Sequence, residues 1–236
     1  MILIFFILGC IMASFGNVVI SRGIKDESII YPRSYCDNCG KTLKWFNLIP
    51  LISYILQFGK CNYCKEKISI KYSIFELVNG IIYMINCQKI DNLLVALIIS
   101  LEMTLLMVMA IIDIKTLNIY NIQIFILAIL ANFYSFITEK LNFYKMIFTV
   151  ILYFTLKIIE NKKTIKKLGF GDIYVLLALF IQFNINDFAE FFIILGIISG
   201  IIASLLLISK KDIKAKIPFI PIITLSFMSF YFIEKF

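Results

Sequence analysis

Long apolar runs separated by short polar connections extend over nearly the whole chain. Eight runs can be read, and they cover Ile2–Ile20, Ser73–Cys87, Asn92–Ile112, Ile119–Ile137, Phe143–Ile159, Ile173–Phe183, Phe188–Ser209 and Ile217–Ile233. A helix needs roughly 20 apolar residues to cross a bilayer, so the second and sixth runs are short. The pattern predicts an all-α polytopic membrane protein with about eight transmembrane helices.

Composition supports the same class. The 236 residues are 61% hydrophobic and 16% charged, whereas soluble domains are roughly 45 to 50% apolar. The formal net charge is +8, but the lysines are dispersed over several loops without a folded basic domain. We therefore expect the lipid bilayer as the surrounding partner and no nucleic acid.

Basic residues orient the eight spans. If the N-terminus lies outside, all but Lys89, Lys140, Lys145 and Lys235 of the 23 lysines and arginines fall on the cytoplasmic side. The first run has no basic residue before it, so we interpret it as a retained span and not as a cleaved signal peptide. The predicted organisation is a first span (1–20), a cytoplasmic insert (21–72) and a membrane domain (73–236).

Two CxxC motifs lie in the polar insert, and their thiols are Cys36, Cys39, Cys61 and Cys64. Four thiolates at this spacing are typical of a closed structural Zn²⁺ site. Disulfides are the alternative, but they rarely persist on the reducing side of the membrane. Gly40 and Gly59 suit tight turns beside the cysteines. Cys10 and Cys87 lie in apolar runs and are interpreted as core residues.

Two aspartates mark the ends of apolar runs. Asp113 closes the third run, and Asp172 opens the sixth after Gly169 and Gly171. In the predicted orientation both reach the cytoplasmic surface, where close carboxylates would share a proton and activate water. The chain has no histidine, which excludes Ser-His-Asp, Cys-His and HExxH hydrolases. For each aspartate alone, a helix cap or an interface marker is an alternative.

Other polar residues inside the runs are less informative. Glu76 and Glu102 are each expected to orient the helices, pair with a lysine or line a cavity. The two glycines beside Phe170 would permit a sharp turn and a close approach of a substrate backbone to Asp172.

Motifs from one end of the chain to the other resemble those of the bifunctional type IV prepilin peptidases, a family of GxGD-type membrane aspartic proteases. The matching segments are Ala13–Val19, Pro32–Cys36, Leu48–Tyr54, Gly59–Cys61, Tyr72–Glu76, Gly169–Asp172 and Lys216–Phe219, the last of which contains Pro218.

The resemblance implies a function. Asp113 and Asp172 would cut the basic leader from type IV prepilins or pseudopilins after a glycine, at the cytoplasmic face of the bacterial plasma membrane. Family members with the cysteine-rich insert also methylate the new N-terminus with S-adenosylmethionine. The resemblance also assigns supporting positions to Gly169, Gly171, Glu76, Lys216 and Pro218.

Three other functions stay open on the sequence. A peptidase without methyltransferase activity would agree with the lack of a glycine-rich nucleotide fingerprint. An ion-coupled transporter would use the aspartates for protons or cations, but it would place them near the bilayer midplane. A non-enzymatic zinc-containing scaffold would tolerate loss of both aspartates.

Overall fold

The computed structural model describes residues 1–138, 143–161, 169–208 and 217–234. Helices connected by turns and loops form the fold of these residues. The helices are α1 (Ile2–Lys25), α2 (Ile52–Leu56), α3 (Ile70–Lys89), α4 (Leu93–Thr116), α5 (Asn121–Ile137), α6 (Phe143–Asn161), α7 (Phe170–Phe180), α8 (Ile185–Ile208) and α9 (Ile220–Glu234). A 3₁₀ helix covers Trp45–Leu48. Apart from the short α2, each helix corresponds to one of the apolar runs.

The predicted class of helical membrane protein is confirmed. By length and composition, α1, α4 and α8 are each able to cross a bilayer, while α5, α7, α9 and part of α6 are shorter apolar helices. Only 11% of the apolar window of α8 is buried inside the protein. An apolar helix that turns most of its surface outward is suited to lipid and not to water.

The chain forms two compact units, Met1–Thr104 and Leu105–Phe236, and the boundary falls within α4. In the first unit, α1 packs closely against α3 because two glycines face each other. A Cβ on Gly9 would lie 2.7 Å from the Asn79 carbonyl oxygen, and one on Gly80 would lie 2.7 Å from Cys10 Sγ. Small residues let membrane helices approach to backbone contact, so this pair fixes where α1 and α3 cross.

Arg22 fixes the entry to the insert. Its side chain is buried, and its guanidinium donates to the carbonyl oxygens of Ser28, Ile29 and Pro32. The arginine fork thus satisfies three loop carbonyls that have no helical partner. Besides its contribution to the predicted orientation, Arg22 organises the loop after α1.

Helix α7 in the second unit ends at Phe180, three residues before the predicted end of its apolar run. The carbonyl oxygen of Ile181 accepts from the Ser135 hydroxyl at 3.0 Å, and that of Phe183 accepts from Lys145 Nζ at 2.5 Å. Non-helical backbone at membrane depth is tolerated where protein groups satisfy it. The short sixth run is therefore a short helix followed by a buried turn.

Aromatic side chains from α8 and α9 anchor that turn. Phe183 is buried and packs against Phe191, Phe227, Phe230 and Tyr231, with ring centroids between 5.0 and 6.3 Å away. Such edge and offset contacts add to area burial by about 0.5–1.5 kcal/mol per pair. The far end of α7 is thus held firmly, which leaves its first turn in a defined position.

Candidate active site and metal centre

The two cysteine motifs fold into matching turns. The Cys36 N–H donates to the Lys41 carbonyl oxygen at 3.0 Å and the Cys61 N–H to that of Glu66 at 2.8 Å, and an isolated β-bridge closes each turn. Gly40 has a φ of 68°, as expected for a tight turn, and Lys65 occupies the equivalent place with a φ of 61°. Gly59 also has a positive φ, of 65°.

The four thiols of Cys36, Cys39, Cys61 and Cys64 lie together. Their sulfur atoms are all within 4.8 Å of one another, and sulfur atoms bound at about 2.3 Å around one tetrahedral zinc would be roughly 3.8 Å apart. Backbone N–H groups of Cys64 and Tyr63 point at the Cys61 sulfur and lower the pKa of Cys61 to about 7. Four soft ligands at this separation form a group that can hold a metal ion.

Glu76 connects the insert to α3. Its side chain is buried, and Oε2 accepts the Leu51 N–H at 2.9 Å. Leu51 has φ 59° and ψ −52°, and the Ile52 N–H donates to the Pro50 carbonyl oxygen at 2.6 Å, which makes a γ-turn. This turn is strained for a residue with a side chain. The hydrogen bond from the Leu51 N–H to the Glu76 carboxylate therefore stabilises this strained conformation of Leu51.

Asp113 lies in the last turn of α4 and is buried. Its Oδ2 accepts the Ile220 N–H at 3.2 Å, and the Phe219 N–H also donates to this carboxylate. Pro218 and Pro221 flank these two residues and have no N–H of their own. The start of α9 thus directs two backbone donors at one carboxylate, where the positive end of the helix dipole stabilises negative charge.

Asp172 occupies the third position of α7. The helix cap is Gly169, with no side-chain capping bond, so the cap alternative does not describe this aspartate. Gly169 has a φ of −72°, and of the described glycines only Gly40 and Gly59 have a positive φ. The turn into α7 therefore does not depend on a positive φ, the backbone conformation that favours glycine.

The glycines instead provide space. A Cβ on Gly169 would lie 2.9 Å from Asp172 Oδ2, and one on Gly171 would lie 2.6 Å from Ile119 Cδ1. Gly169 leaves room for the aspartate side chain, and Gly171 lets the segment before α5 pack against the first turn of α7. Both glycines therefore set the position of Asp172.

The second unit brings Asp113 and Asp172 together although they are far apart in sequence. Their carboxylates are close enough for the charge of Asp113 to act on Asp172. We call this pair the dyad. Lys216 lies outside the described residues, whereas Pro218 precedes the helix that donates to Asp113.

Gln123 was not identified by the sequence analysis. It is buried in the first turn of α5, and within the described residues neither its Nε2 nor its Oε1 has a hydrogen-bond partner. It lies four residues after Ile119, the side chain that contacts Gly171. A carboxamide inside an apolar run was the available signal.

The contact between Gly171 and Ile119 gives a prediction. Gly171→Ala should lower activity by on the order of 10²-fold, because the new Cβ meets Ile119 Cδ1 and displaces the dyad by a fraction of an ångström or more. Ile119→Val removes that δ carbon, so the double variant should recover most of the activity. Initial rates of the four proteins check this, and an unrescued double variant would show that the loss has another cause.

Comparison with known proteins finds one matching family model and several similar enzymes. Residues 7–90 match the model of the bacterial peptidase A24 N-terminal domain. A prepilin leader peptidase/N-methyltransferase of Vibrio cholerae is 29% identical over 85% of this chain and 84% of its own length. Enzymes with the same name from Bacillus subtilis and Myxococcus xanthus are 36% and 42% identical, over 56% and 33% of this chain and 53% and 23% of their own lengths. No solved structure matches.

For two of these three relatives the aligned region therefore spans less than two thirds of the relative's length. The family model covers α1, the insert and α3, while the Vibrio cholerae alignment extends over most of the chain. Together with the apolar helices, the relatives indicate a protein of the bacterial inner membrane. The chain is thus similar to prepilin leader peptidases/N-methyltransferases, and its residues 7–90 match the bacterial peptidase A24 N-terminal domain.

Proposed function

We propose that this protein is a membrane aspartic endopeptidase that removes the basic leader of type IV prepilins or pseudopilins after a glycine. The observation that carries the proposal is that Asp113 and Asp172 lie in one compact unit of a chain that has no histidine. Gly171, next to Asp172, packs against Ile119, which lies six residues after Asp113. The names of the relatives supply the substrate class.

The reaction is general acid–base hydrolysis. One carboxylate takes a proton from water while the protonated partner polarises the scissile carbonyl. The water oxygen bonds to the carbonyl carbon, the C–N bond breaks, and the proton passes to the departing amine. No metal is required in these steps, and the two N–H donors of α9 hold one carboxylate in place throughout.

The reaction takes place at the cytoplasmic face in this proposal. The basic residues orient the spans so that the C-terminal end of α4 and the N-terminal end of α7 reach the cytoplasm. A prepilin has a basic leader before a long apolar helix. If that helix stays in the bilayer, the bond in front of it lies at the same depth as the dyad.

The insert has a separate role in the proposal. Cys36, Cys39, Cys61 and Cys64 hold one structural Zn²⁺, which leaves no open coordination position for water or substrate. The protein also transfers a methyl group from S-adenosylmethionine to the new N-terminal amine, as the names of its relatives suggest. Proteolysis and methylation are then separate chemical steps of one maturation.

A substrate series tests the specificity. Prepilins with glycine, alanine or valine before the scissile bond should be cleaved at steeply falling rates in that order. Asp113 is buried, and beside Asp172 there is no room even for a Cβ at Gly169 or Gly171, so a substrate side chain would hold the carbonyl away from attack. An error of 1 Å in that position costs on the order of 10²-fold. Equal rates for all three substrates, measured as initial velocities, would contradict the proposed geometry.

A further inference from the structure

The first unit contains a cavity of about 430 Å³. Side chains of α1 and α3 form part of its wall, including Asn17 and Glu76, and the insert forms the rest, including Asn47 and Gln57. Sites for small molecules and cofactors usually measure roughly 300 to 1,000 Å³ and carry a few fixed polar groups. The cavity lies entirely within residues 14–76, whereas both aspartates of the dyad belong to the second unit.

Asn47 presents an unused donor in this wall. It is 91% buried, since its exposed fraction is 9%, and within the described residues its Nδ2 has no hydrogen-bond partner. Its Oδ1 accepts from Asn62 Nδ2 at 2.8 Å and from Gln57 Nε2 at 3.2 Å. In this arrangement both neighbouring amides donate to Oδ1, so Nδ2 is the atom of Asn47 that is left without a partner. An unpaired buried donor costs about 1–3 kcal/mol, so an acceptor on a ligand would be stabilising.

Glu76 presents a negative charge in the same wall. Its carboxylate accepts the Leu51 N–H and is also hydrogen-bonded to the Ser14 side chain. Within the described residues it forms no ion pair, and the salt bridge found there joins Lys25 and Asp37. Arg22 also lines the cavity, but its guanidinium is engaged by three loop carbonyls. A buried carboxylate is stabilised by a cation.

We infer that this cavity binds the methyl donor, S-adenosylmethionine, with Asn47 donating to the adenosyl part and Glu76 facing the sulfonium charge. The inference rests on the proposed methyltransferase activity and gives that activity a site. S-adenosylmethionine carries hydrogen-bond acceptors, one of which would pair with the free Nδ2 of Asn47. It also carries a fixed positive charge, which would pair with the carboxylate of Glu76. No glycine-rich fingerprint is needed, because side chains of the insert replace it.

The group transfer balances without a further reactant. The new N-terminal amine forms the C–N bond to the methyl carbon as the C–S bond of the sulfonium breaks. The proton of the resulting ammonium goes to solvent, and neutral S-adenosylhomocysteine leaves. Product release is favoured because the charge that Glu76 attracts has disappeared.

Binding to the purified full chain, in detergent and with zinc bound, tests the inference. Glu76→Gln keeps an acceptor for Leu51 but removes the charge, so it should weaken S-adenosylmethionine binding at least tenfold while changing S-adenosylhomocysteine binding much less. Asn47→Asp keeps the acceptor for Gln57 and Asn62 but has no N–H, so it should weaken both ligands. Glu27→Gln removes an exposed carboxylate of the insert outside the cavity wall and should leave both affinities as in the wild type.

Equilibrium dialysis with labelled ligand gives the affinities, and zinc content checks the fold of each variant. Binding that is absent, or that does not respond to Glu76→Gln and Asn47→Asp, would overturn the cavity assignment. If binding fails in either of these ways but the wild-type protein still methylates a prepilin, the proposed function stands and the cavity assignment alone fails. Binding with the expected pattern but without any processed prepilin would support the cavity and overturn the proposed peptidase.

Discussion

Asp113→Asn and Asp172→Asn are each expected to abolish prepilin cleavage, with a loss of on the order of 10³-fold or more, because an amide neither accepts the proton of water nor shares the proton of the dyad. Asparagine retains the size of the side chain and can still accept the N–H of Ile220. The loss should therefore come from chemistry and not from folding.

Asp187→Asn is the matched control for this pair. Asp187, like Asp172, lies in the first turn of a helix of the second unit, and its Oδ2 accepts the Asn184 N–H. This change should leave the cleavage rate within about twofold, because the Oδ1 of asparagine can still accept the Asn184 N–H. Initial rates on one prepilin, with equal amounts of membrane-inserted protein, give the comparison. Near-normal processing by either dyad variant would refute the assignment.

Replacement of Cys61 by serine is expected to have the largest effect on the insert. Cys61 is the most buried of the four clustered thiols, and structural zinc contributes about 10–16 kcal/mol of binding free energy in small zinc-binding peptides. The wild type should contain about one zinc per chain, and Cys61→Ser should contain less than about a tenth of an equivalent. Hydrogen exchange should then rise across the two cysteine turns.

Cys87→Ser is the control for the metal site, since Cys87 is a free cysteine in α3 outside the cluster. It should keep its full zinc content. Cleavage by Cys61→Ser should fall less than cleavage by the dyad variants, because both aspartates belong to the other compact unit. A wild-type protein without zinc after gentle purification would contradict the metal assignment.

The sequence predicted which segments form the long helices, but it placed the ends of these helices less accurately. Each apolar run became a helix because a buried or lipid-facing backbone must satisfy its own hydrogen bonds. Helix α1 continues past Ile20 to Lys25 and α4 past Asp113 to Thr116, since polar residues can extend a helix into the interfacial layer. Helix α2 and the 3₁₀ helix at Trp45–Leu48 were not predicted, because such short turns in the insert have no periodicity to read.

The candidate site was predictable as a set of residue types and not as a set of contacts. The spacing of the two CxxC motifs indicated the cysteines as candidate metal ligands. The aspartates were candidates because each lies at the end of an apolar run. The contact of Gly171 with Ile119, the direction of the α9 donors and the unpaired Nδ2 of Asn47 depend on segments that meet only after folding. Glu76 illustrates the difference, because its partner is the backbone of Leu51 and not a lysine.

The mass of the product from a prepilin incubated with purified wild-type protein and isotope-labelled S-adenosylmethionine tests the central claim most directly. We expect a product that begins immediately after the glycine of the leader, together with a fraction heavier by one labelled methyl group. With Asp113→Asn in the same reaction, the prepilin should remain intact. An intact prepilin with the wild type, or the same product from Asp113→Asn, would contradict the assignment of this protein as an aspartic prepilin peptidase.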